Sequence, residues 1–320
     1  MTLARFGLSS RPFATGPDPA AYYPAPGHEE VLEEIITALA DGEPYVLLFG
    51  EAGVGKTLVA QLIMSRLGDD TLTALVTNCH FSCRGDLLQA FLYELGLPHT
   101  TRPEQEMRIA LTEFLLGRHL AGQKTVLVLD EAQLLTPELL EEVRLLGNLE
   151  SPKGKAVQVV LIAQPDIFAT LELPGLGGFV QRLVARIRLE PLGMKDSAAY
   201  LAHQITRAGG KPESILTDEA VEVLSRGCRG VPRLLNQAGR AALSVTAKAG
   251  LKVVDAEGAT EALASLPHSG PLEPEPPPPA VYSDDEFVAE GEVEPGDERP
   301  IASGEWMPES LKRFEFTPMQ

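Results

Sequence analysis

The sequence predicts an α/β fold with a parallel sheet flanked by helices, followed by a small all-helical domain. Up to Leu192, short apolar runs rich in β-branched residues alternate with amphipathic stretches, and beyond Leu192 the pattern is purely helical. Short runs of this kind are typical of strands covered on both faces, as in parallel sheets. Strand and helix alternating at this spacing indicate layers of helix around one sheet.

The elements of the α/β part are expected in the following order. Strands are predicted at residues 45–49, 73–77, 125–129 and 158–163, with a candidate fifth strand at 186–192. Helices are predicted at residues 28–40, 57–67, 84–95, 105–120 and 137–149.

The helical part carries start and stop signals. Thr217 and Asp255 are predicted N-caps, because their side-chain oxygens can accept the free N–H groups of a first helical turn. Gly209 is a predicted stop, since glycine accepts the left-handed conformation that closes a helix. Helices are therefore expected at residues 196–207, 217–225, 232–249 and from 255 onward.

The composition excludes several classes of protein. Three cysteines in 320 residues cannot form a disulfide framework, and no apolar run reaches the roughly 18 residues that a membrane span needs. The first residues, MTLARFGLSSRPF, lack the sustained apolar stretch of a secretory signal. We therefore expect a cytoplasmic chain in a reducing compartment.

Much of the acidity lies in a C-terminal tail. Residues 267–320 hold 13 acidic and 3 basic side chains, so they carry −10 of the total charge of −18. The same tail holds 11 of the 26 prolines and few large aliphatic residues, so we predict a disordered, acidic, Pro-rich segment. Its end gathers apolar side chains that form a candidate docking segment for a protein partner, although a terminus without function is the alternative: Trp306, Met307, Leu311, Phe314 and Phe316.

The segment GEAGVGKT at Gly50–Thr57 matches the phosphate-loop pattern G-x-x-x-x-G-K-[ST]. It follows a predicted strand and opens a predicted helix, which is where loop amides and a helix N-terminus can face an anion. Lys56 would place a charge on the β and γ phosphates, and Thr57 would ligate Mg²⁺. A glycine-rich turn that binds nothing is the alternative. The predicted nucleotide-binding residues are Gly50, Glu51, Ala52, Gly53, Val54, Gly55, Lys56, Thr57, Leu58 and Asp130.

A second motif, VLVLDE, ends in two adjacent carboxylates. The apolar strand before them would deliver Asp130 and Glu131 to the carboxyl edge of the sheet, where open α/β sheets bind ligands. Alternation along a strand would point the two side chains in different directions. We expect Asp130 to hold Mg²⁺ through water and Glu131 to act as general base toward the attacking water. ATP and Mg²⁺ are thus the expected cofactors, and a solvated acidic turn is the alternative.

Further motifs follow in the order of a known family. The leader carries FGL at residues 6–8, Pro12-Phe13, Pro17-Asp18-Pro19, a Tyr at 22 or 23 and His28. The body carries GEAGVGKT, LDEAQ, RLLGNLE, LIAQPD, LEPL, RAGG and GVPRLLNQ. Together they resemble the ExeA/GspA-type AAA+ ATPases (general secretion pathway protein A), which are related to the TniB-type and MshM-type ATPases. The resemblance covers residues 3–266.

The resemblance implies further roles. Gln164, at the end of the fourth strand, would sense the γ-phosphate, and Arg233 would be the lid arginine that contacts it within one subunit. Arg182 and Arg186 are candidates for an arginine donated to a neighbouring subunit, with Arg182 preferred because the family's Gln-Arg pair aligns there. Ordinary structural or solvated side chains are the alternatives for these residues. A donated arginine implies a homo-oligomer whose ATPase activity depends on assembly.

The resemblance also implies the division of the chain. Residues 1–29 would be a leader packed on the ATPase core, 30–192 the AAA+ α/β domain and 193–266 the helical lid, with the tail beyond. The implied function is ATP hydrolysis in the assembly or regulation of a secretion or pilus machine. The alternative is a DNA-associated regulator of the TniB type, against which the absence of a Lys/Arg cluster argues. The partner is therefore expected to be a protein.

One loop contains three side chains that can bind metals, Cys79, His80 and Cys83, but their spacing argues against a metal site. The C-x-x-x-C spacing differs from the usual C-x-x-C, and the sequence offers no second ligand pair. We expect a loop with partly buried thiols and no metal there.

Overall fold

The structure, a computed structural model, describes residues 3–68, 70–100, 102–152 and 154–266. The predicted acidic tail and its docking segment lie outside the described residues. In the described part, an α/β domain precedes a helical domain, as the hydrophobic pattern predicts.

Five parallel strands form the sheet: Tyr45–Phe49 (β1), Thr71–Val76 (β2), Lys124–Leu129 (β3), Gln158–Ala163 (β6) and Ala185–Arg188 (β7). Their order across the sheet is β2-β3-β6-β1-β7. The central strand β6 is buried throughout and lies between β1 and β3. Because all five run the same way, the residues that follow β1, β3 and β6 come together at one edge of the sheet.

Helices cover both faces of the sheet. They span Pro26–Ala40 (α1), Lys56–Arg66 (α2), Arg84–Glu94 (α3), Glu104–Leu120 (α4), Pro137–Gly147 (α5), Ile167–Leu171 (α6) and Gly177–Val180 (α7). One face of the sheet packs with α1 and α2 around Leu32, Ile35 and Ile63. The other packs with α3, α4 and α5 around Leu88, Leu111 and Leu140. Burial on both faces explains why the strands read as continuous apolar runs.

The expected strands and helices lie within a few residues of those observed, with one shorter strand. The fifth strand ends at Arg188 and does not reach Leu192; the predicted range includes Pro191, which lacks the N–H that a ladder needs. Two small features were not predicted: a hairpin of β4 (Glu150–Ser151) and β5 (Gly154–Lys155), and the short helices α6 and α7. Strands of two residues leave no periodic signal in the sequence.

The helical domain consists of α8 (Met194–Arg207), α9 (Asp218–Gly227), α10 (Pro232–Lys248) and α11 (Ala256–Ala264) in the described residues. Both predicted N-caps are present: the side chain of Thr217 accepts from the Ala220 N–H, and that of Asp255 from the Gly258 N–H. No helix in the described part of the chain is long and apolar enough to cross a membrane.

The leader packs on the helical domain as well as on the α/β core. Phe13 is buried in the core of the helical domain, against Gly239 of α10, where any Cβ would collide with its ring. The Ser9 N–H and hydroxyl both donate to the Ala208 carbonyl, at 2.8 and 3.0 Å. The end of the leader packs on the α/β core through Tyr22, through His28 at the phosphate loop, and through Glu29, which pairs with Arg66 of α2 at 2.9 Å. Phe6, Leu8 and Phe13 of the leader share one buried apolar cluster with residues of α8 and α10.

Candidate functional site

The loop between β1 and α2 wraps tightly around a cleft of about 440 Å³. Gly53 and Gly55 have φ values of 88° and 111°, which L side chains rarely adopt, so glycine is required there. At Gly50 a Cβ would collide with the carbonyl oxygen of Leu189 at the end of β7. All residues from Ala52 to Leu58 line the cleft, and α2 begins there. The loop therefore presents a helix N-terminus to the cleft, as anion sites do.

Lys56 is held against this loop. Its Nζ donates hydrogen bonds to the carbonyl oxygens of Gly50, at 2.7 Å, and Glu51, at 2.9 Å. Burial lowers the pKa of Lys56, while the nearby carboxylates of Glu131 and Asp130 act in the opposite direction. The ammonium group is thus poor in water contacts and surrounded by acceptors. It is placed to leave these carbonyl oxygens for an anionic acceptor, which forms stronger hydrogen bonds with an ammonium group.

Asp130 and Thr57 meet across the edge of the sheet. Thr57 Oγ1 donates to Asp130 Oδ2 at 2.7 Å, and the Glu131 N–H donates to Asp130 Oδ1 at 2.9 Å. Burial raises the pKa of Asp130, and both hydrogen bonds act against that rise. A hydroxyl and a buried carboxylate side by side form an oxygen-rich pair of the kind that Mg²⁺ prefers.

Glu131 lines the same cleft, but it lies beyond the strand whose alternation was expected to orient its side chain. The strand β3 ends at Leu129, and Glu131 takes a left-handed backbone conformation with φ of 57°. Non-glycine residues adopt this conformation at a cost of about 1 kcal/mol or more, often at functional sites. The turn frees the carboxylate to enter the cleft.

Gln164 follows β6 and therefore lies between the phosphate loop and the two carboxylates. Its Nε2 donates to Glu131 Oε2 at 3.2 Å, and the side chain lines the cleft. The structure thus brings together the candidates Lys56, Thr57, Asp130, Glu131 and Gln164.

Arg233 reaches the cleft from the helical domain. It lies in the first turn of α10, and its backbone N–H donates to the Gly53 carbonyl at 3.2 Å. A Cβ on Gly53 would lie 2.9 Å from Arg233 Cβ, so the helical domain sits directly on the phosphate loop. Arg233 joins the site by this contact.

Arg182 and Arg186 lie apart from the cleft, and neither lines it. Both are exposed. The Arg186 guanidinium donates to the carbonyl oxygens of Leu183 and Val180, at 3.2 and 3.3 Å. For the Arg182 side chain we find no hydrogen bond to any residue in the described ranges. Arg182 is therefore the one of the two without a hydrogen bond to a described residue, although its charge acts on the nearby carboxylates of Glu141 and Glu150.

The domain that carries this cleft is similar to known proteins. Residues 40–171 match the model of a family described as an AAA domain. The chain is 38% identical over 251 residues to General secretion pathway protein A of Aeromonas hydrophila, covering 78% of this chain and 46% of that protein. The chain has the AAA+ P-loop fold. The resemblance expected from the motifs, to the general secretion pathway protein A type, is confirmed.

Two more distant proteins are similar to this chain, one in sequence and one in structure. The chain is 24% identical over 216 residues to ORC1-type DNA replication protein 9 of Halobacterium salinarum, covering 63% of this chain and 56% of that protein. The solved ORC2 protein of Aeropyrum pernix has a TM-score of 0.59 at 16% identity, over 74% of this chain and 66% of that one. The second likeness shows the fold alone. The chain spans about half the length of the curated relatives it matches.

The AAA+ cleft has a second wall that sequence reasoning missed. The leader contributes the stretch from Ala14 to Asp18, and the helical domain contributes Tyr200, Gln204, Asn236 and Arg240. Gln204 Nε2 donates to the Ala21 carbonyl at 3.0 Å, and this hydrogen bond connects the leader to the helical domain. The leader motif Pro17-Asp18-Pro19 carried the signal, and in the structure Asp18 caps the 3-10 turn Pro19–Ala21 and pairs with Arg207 of α8 at 2.7 Å.

His28 is a further residue to which the sequence assigned no role. Its Nε2 lies 3.1 Å from the Val54 carbonyl oxygen in the phosphate loop. A carbonyl can only accept, so this ring nitrogen carries the proton and donates. Burial lowers the pKa of His28, which favours the neutral ring. The contact buttresses the loop from the first turn of α1.

The Cys79, His80 and Cys83 segment forms the loop between β2 and α3. Cys79 is buried and Cys83 is exposed at the start of α3. Burial raises the pKa of the Cys79 thiol to about 12, so it stays protonated at neutral pH. In the described part of the chain we find no group of three His, Cys, Asp or Glu residues placed to hold a metal ion.

Proposed function

We propose that this AAA+ chain binds ATP with Mg²⁺ in the cleft and hydrolyses it to ADP and phosphate. The observation that carries the proposal is the 2.7 Å hydrogen bond from Thr57 to Asp130, with the Glu131 carboxylate in the same cleft. Together these groups supply both an oxygen pair for the metal ion and a base for water. A nucleotide-binding switch without hydrolysis would have no use for Glu131.

The binding roles follow from where each residue lies. The residues Gly50, Glu51, Ala52, Gly53, Val54, Gly55 and Leu58 would form the loop that holds the phosphates through its backbone. Lys56 would leave the carbonyl oxygens of Gly50 and Glu51 to bind the β and γ phosphates. Thr57 would hold Mg²⁺ directly and Asp130 would hold it through water. The bound metal would neutralise charge that develops on the phosphates.

The chemical step requires a base and stabilisation of charge. Glu131 would accept a proton from water as the water oxygen bonds to the γ-phosphorus and the bond to the leaving oxygen breaks. Gln164 would contact the γ-phosphate from the end of β6. Arg233 would contact it from the helical domain, coupling the position of that domain to the nucleotide.

Arg182 would complete the site of a neighbouring subunit. It is exposed, lies outside its own cleft and makes no hydrogen bond to a described residue, whereas Arg186 is held by two carbonyl oxygens of its own chain. An arginine supplied in this way is worth about 10³ to 10⁵ in rate. We therefore propose a homo-oligomer in which turnover depends on assembly.

A second part of the proposal concerns the cellular machine that this ATPase serves. Similarity to General secretion pathway protein A supports a role in the assembly or regulation of a secretion or pilus machine, in the cytoplasm where ATP is present. The second candidate, a DNA-associated regulator of the TniB type, gains support from the likeness to an ORC1-type DNA replication protein. The acidic balance of the chain favours the first, because phosphate contacts need clustered Lys and Arg side chains.

Phosphate release by the full chain, measured over a range of protein concentrations with and without Mg²⁺, tests the proposal. We expect Mg²⁺-dependent turnover per subunit that rises with protein concentration. Turnover that is absent at all concentrations would contradict hydrolysis. Turnover independent of concentration would contradict the assembly dependence. A duplex DNA that raises turnover and loses its effect in high salt would favour the second candidate.

A further inference from the structure

The side chain of Gln133 lies behind the cleft and contacts both Glu131 and Gln164. Its Nε2 donates to Glu131 Oε2 at 2.6 Å, and its Oε1 accepts from the Gln164 backbone N–H at 3.0 Å. Gln133 is half-buried in the 3-10 turn Ala132–Leu134, directly after the acidic pair. Glu131 and Gln164 line the cleft, whereas Gln133 does not. Gln133 can therefore reach a bound nucleotide only through its two neighbours.

The two contacts of Gln133 fix the orientation of its amide. The Gln164 backbone N–H can only donate, and an ionised Glu131 carboxylate can only accept. A flipped amide would set its NH₂ group against the N–H and its oxygen against the carboxylate. The observed orientation is therefore the only one that satisfies both neighbours.

These contacts give the two carboxylate oxygens of Glu131 different surroundings. Gln164 Nε2 also donates to Oε2, at 3.2 Å, so both amides converge on the same oxygen. For Oε1 we find no hydrogen bond within the described residues, which leaves it available to water. The backbone cannot fix this carboxylate as a strand would, because Glu131 lies beyond β3 in a left-handed turn. The amides supply the missing constraint.

We propose that Gln133 is a positioning residue, which holds Glu131 through Oε2 so that Oε1 faces the attacking water. This proposal rests on the proposed role of Glu131 as general base. Gln133 also joins the end of β3 to the end of β6, because it links Glu131 to the backbone of Gln164. A shift of Gln164 on contact with a γ-phosphate would therefore be passed to the base.

The alternative is that Gln133 only fills space in the turn. The variants Gln133→Glu and Gln133→Ala separate the two roles. Glutamate has the shape of glutamine but replaces the NH₂ donor by an acceptor, 2.6 Å from Oε2 in the native geometry. If Gln133 only fills space, kcat should be kept in Gln133→Glu and should fall in Gln133→Ala. If its NH₂ donor is required, kcat should fall in both variants, and at least as far in Gln133→Glu.

The test measures kcat, KM for ATP and the Kd of a fluorescent ATP analogue for the full chain and both variants. Gln89→Ala, at an exposed glutamine on α3, is the matched control. We expect kcat to fall about ten- to hundredfold in both Gln133 variants, the range for losing a hydrogen bond to a charged group. KM and Kd should stay within about threefold, because Gln133 does not line the cleft.

Three results would overturn the proposal: normal kcat in Gln133→Glu, a raised kcat in either variant, or a loss of kcat matched by an equal loss of ATP affinity. The wild-type chain and Glu131→Gln are measured in the same series. If the wild type shows no turnover, or Glu131→Gln turns over normally, the proposed function fails and this inference fails with it. If both behave as expected while the Gln133 variants are normal, only this inference fails.

Discussion

Thr57 Oγ1 donates a 2.7 Å hydrogen bond to Asp130 Oδ2 across the edge of the sheet. The two residues are 73 positions apart in the chain, and the parallel order β3-β6-β1 brings them together. Asp130 is only 2% exposed, and burial raises its pKa. The pair is therefore a preformed oxygen site that holds its charge at a cost.

That cost predicts a gain in stability for Asp130→Asn. Folding raises the pKa of Asp130 above 3.8, so the folded state gains stability as the pH falls from the raised pKa toward 3.8. Above the raised pKa the carboxyl is ionised in both states, and the folded state bears the full cost of burying the charge. Asparagine removes the charge and keeps the shape. At pH 7 the variant should melt at a higher temperature than the wild type, and the difference should shrink toward pH 4.

The same variant should bind Mg²⁺ poorly. The Mg²⁺ concentration for half-maximal turnover should rise about 10- to 100-fold, as for other groups that hold a metal through water. Asp41→Asn, at an exposed aspartate after α1, should change neither quantity. A lower melting temperature for Asp130→Asn at pH 7 would mean that the hydrogen bond from Thr57 outweighs the burial of the charge.

Gly53→Ala should loosen the contact between the phosphate loop and the helical domain. Gly42 is a matched control, since both glycines have φ of 88° but only Gly53 has a neighbour, Arg233 Cβ, at 2.9 Å from an added Cβ. Both variants should lose about 1 kcal/mol of unfolding free energy from backbone strain. Gly53→Ala should lose more and bind ATP at least about tenfold more weakly.

Denaturant unfolding and nucleotide titration check this pair of variants. Equal ATP affinity in Gly53→Ala and Gly42→Ala would show that Arg233 does not depend on the fit between loop and helical domain. The comparison removes the contribution of the left-handed backbone, because that contribution is common to both positions.

Arg182→Ala should leave ATP affinity within a few-fold of normal and lower turnover by at least about 10². Mixing this variant with Lys56→Ala subunits should restore some activity, because an intact site can then receive an intact arginine from a neighbour. Arg186→Ala is the matched comparison, since that guanidinium is already engaged with its own chain. Normal turnover of Arg182→Ala, without any effect of mixing, would identify it as a surface residue.

The hydrophobic pattern predicts the elements of this fold well but not their assembly. The strand β6 lies at the predicted residues 158–163 because five apolar residues in a row, after Gln158, are typical of a strand that is buried on both faces. The strand order, which places Gln164 between Lys56 and Glu131, depends on crossovers that leave no local signal. The packing of Phe13 on the helical domain is long-range in the same way.

The site was predictable where a motif fixes the chemistry. The phosphate loop is recognisable because its glycines and Lys56 have specific physical roles at fixed spacing. The proposed role of Gln133 could not be read from the sequence, because its contacts depend on a left-handed turn at Glu131 and on Gln164, 31 residues away. The wall formed by Tyr200 and Asn236 was missed because it needs two domains to meet.

The most direct test of the account compares Lys56→Ala with Glu131→Gln by nucleotide titration and phosphate release on the same samples. We expect Lys56→Ala to lose ATP binding, since it removes the charge beside the phosphates. Glu131→Gln should keep its Kd within a few-fold while turnover falls by at least about 10². Lys248→Ala and Glu94→Gln, both exposed, should behave as the wild type. Equal loss of binding in both site variants, or normal turnover in Glu131→Gln, would contradict the assignment of this cleft as an ATPase site with Glu131 as its base.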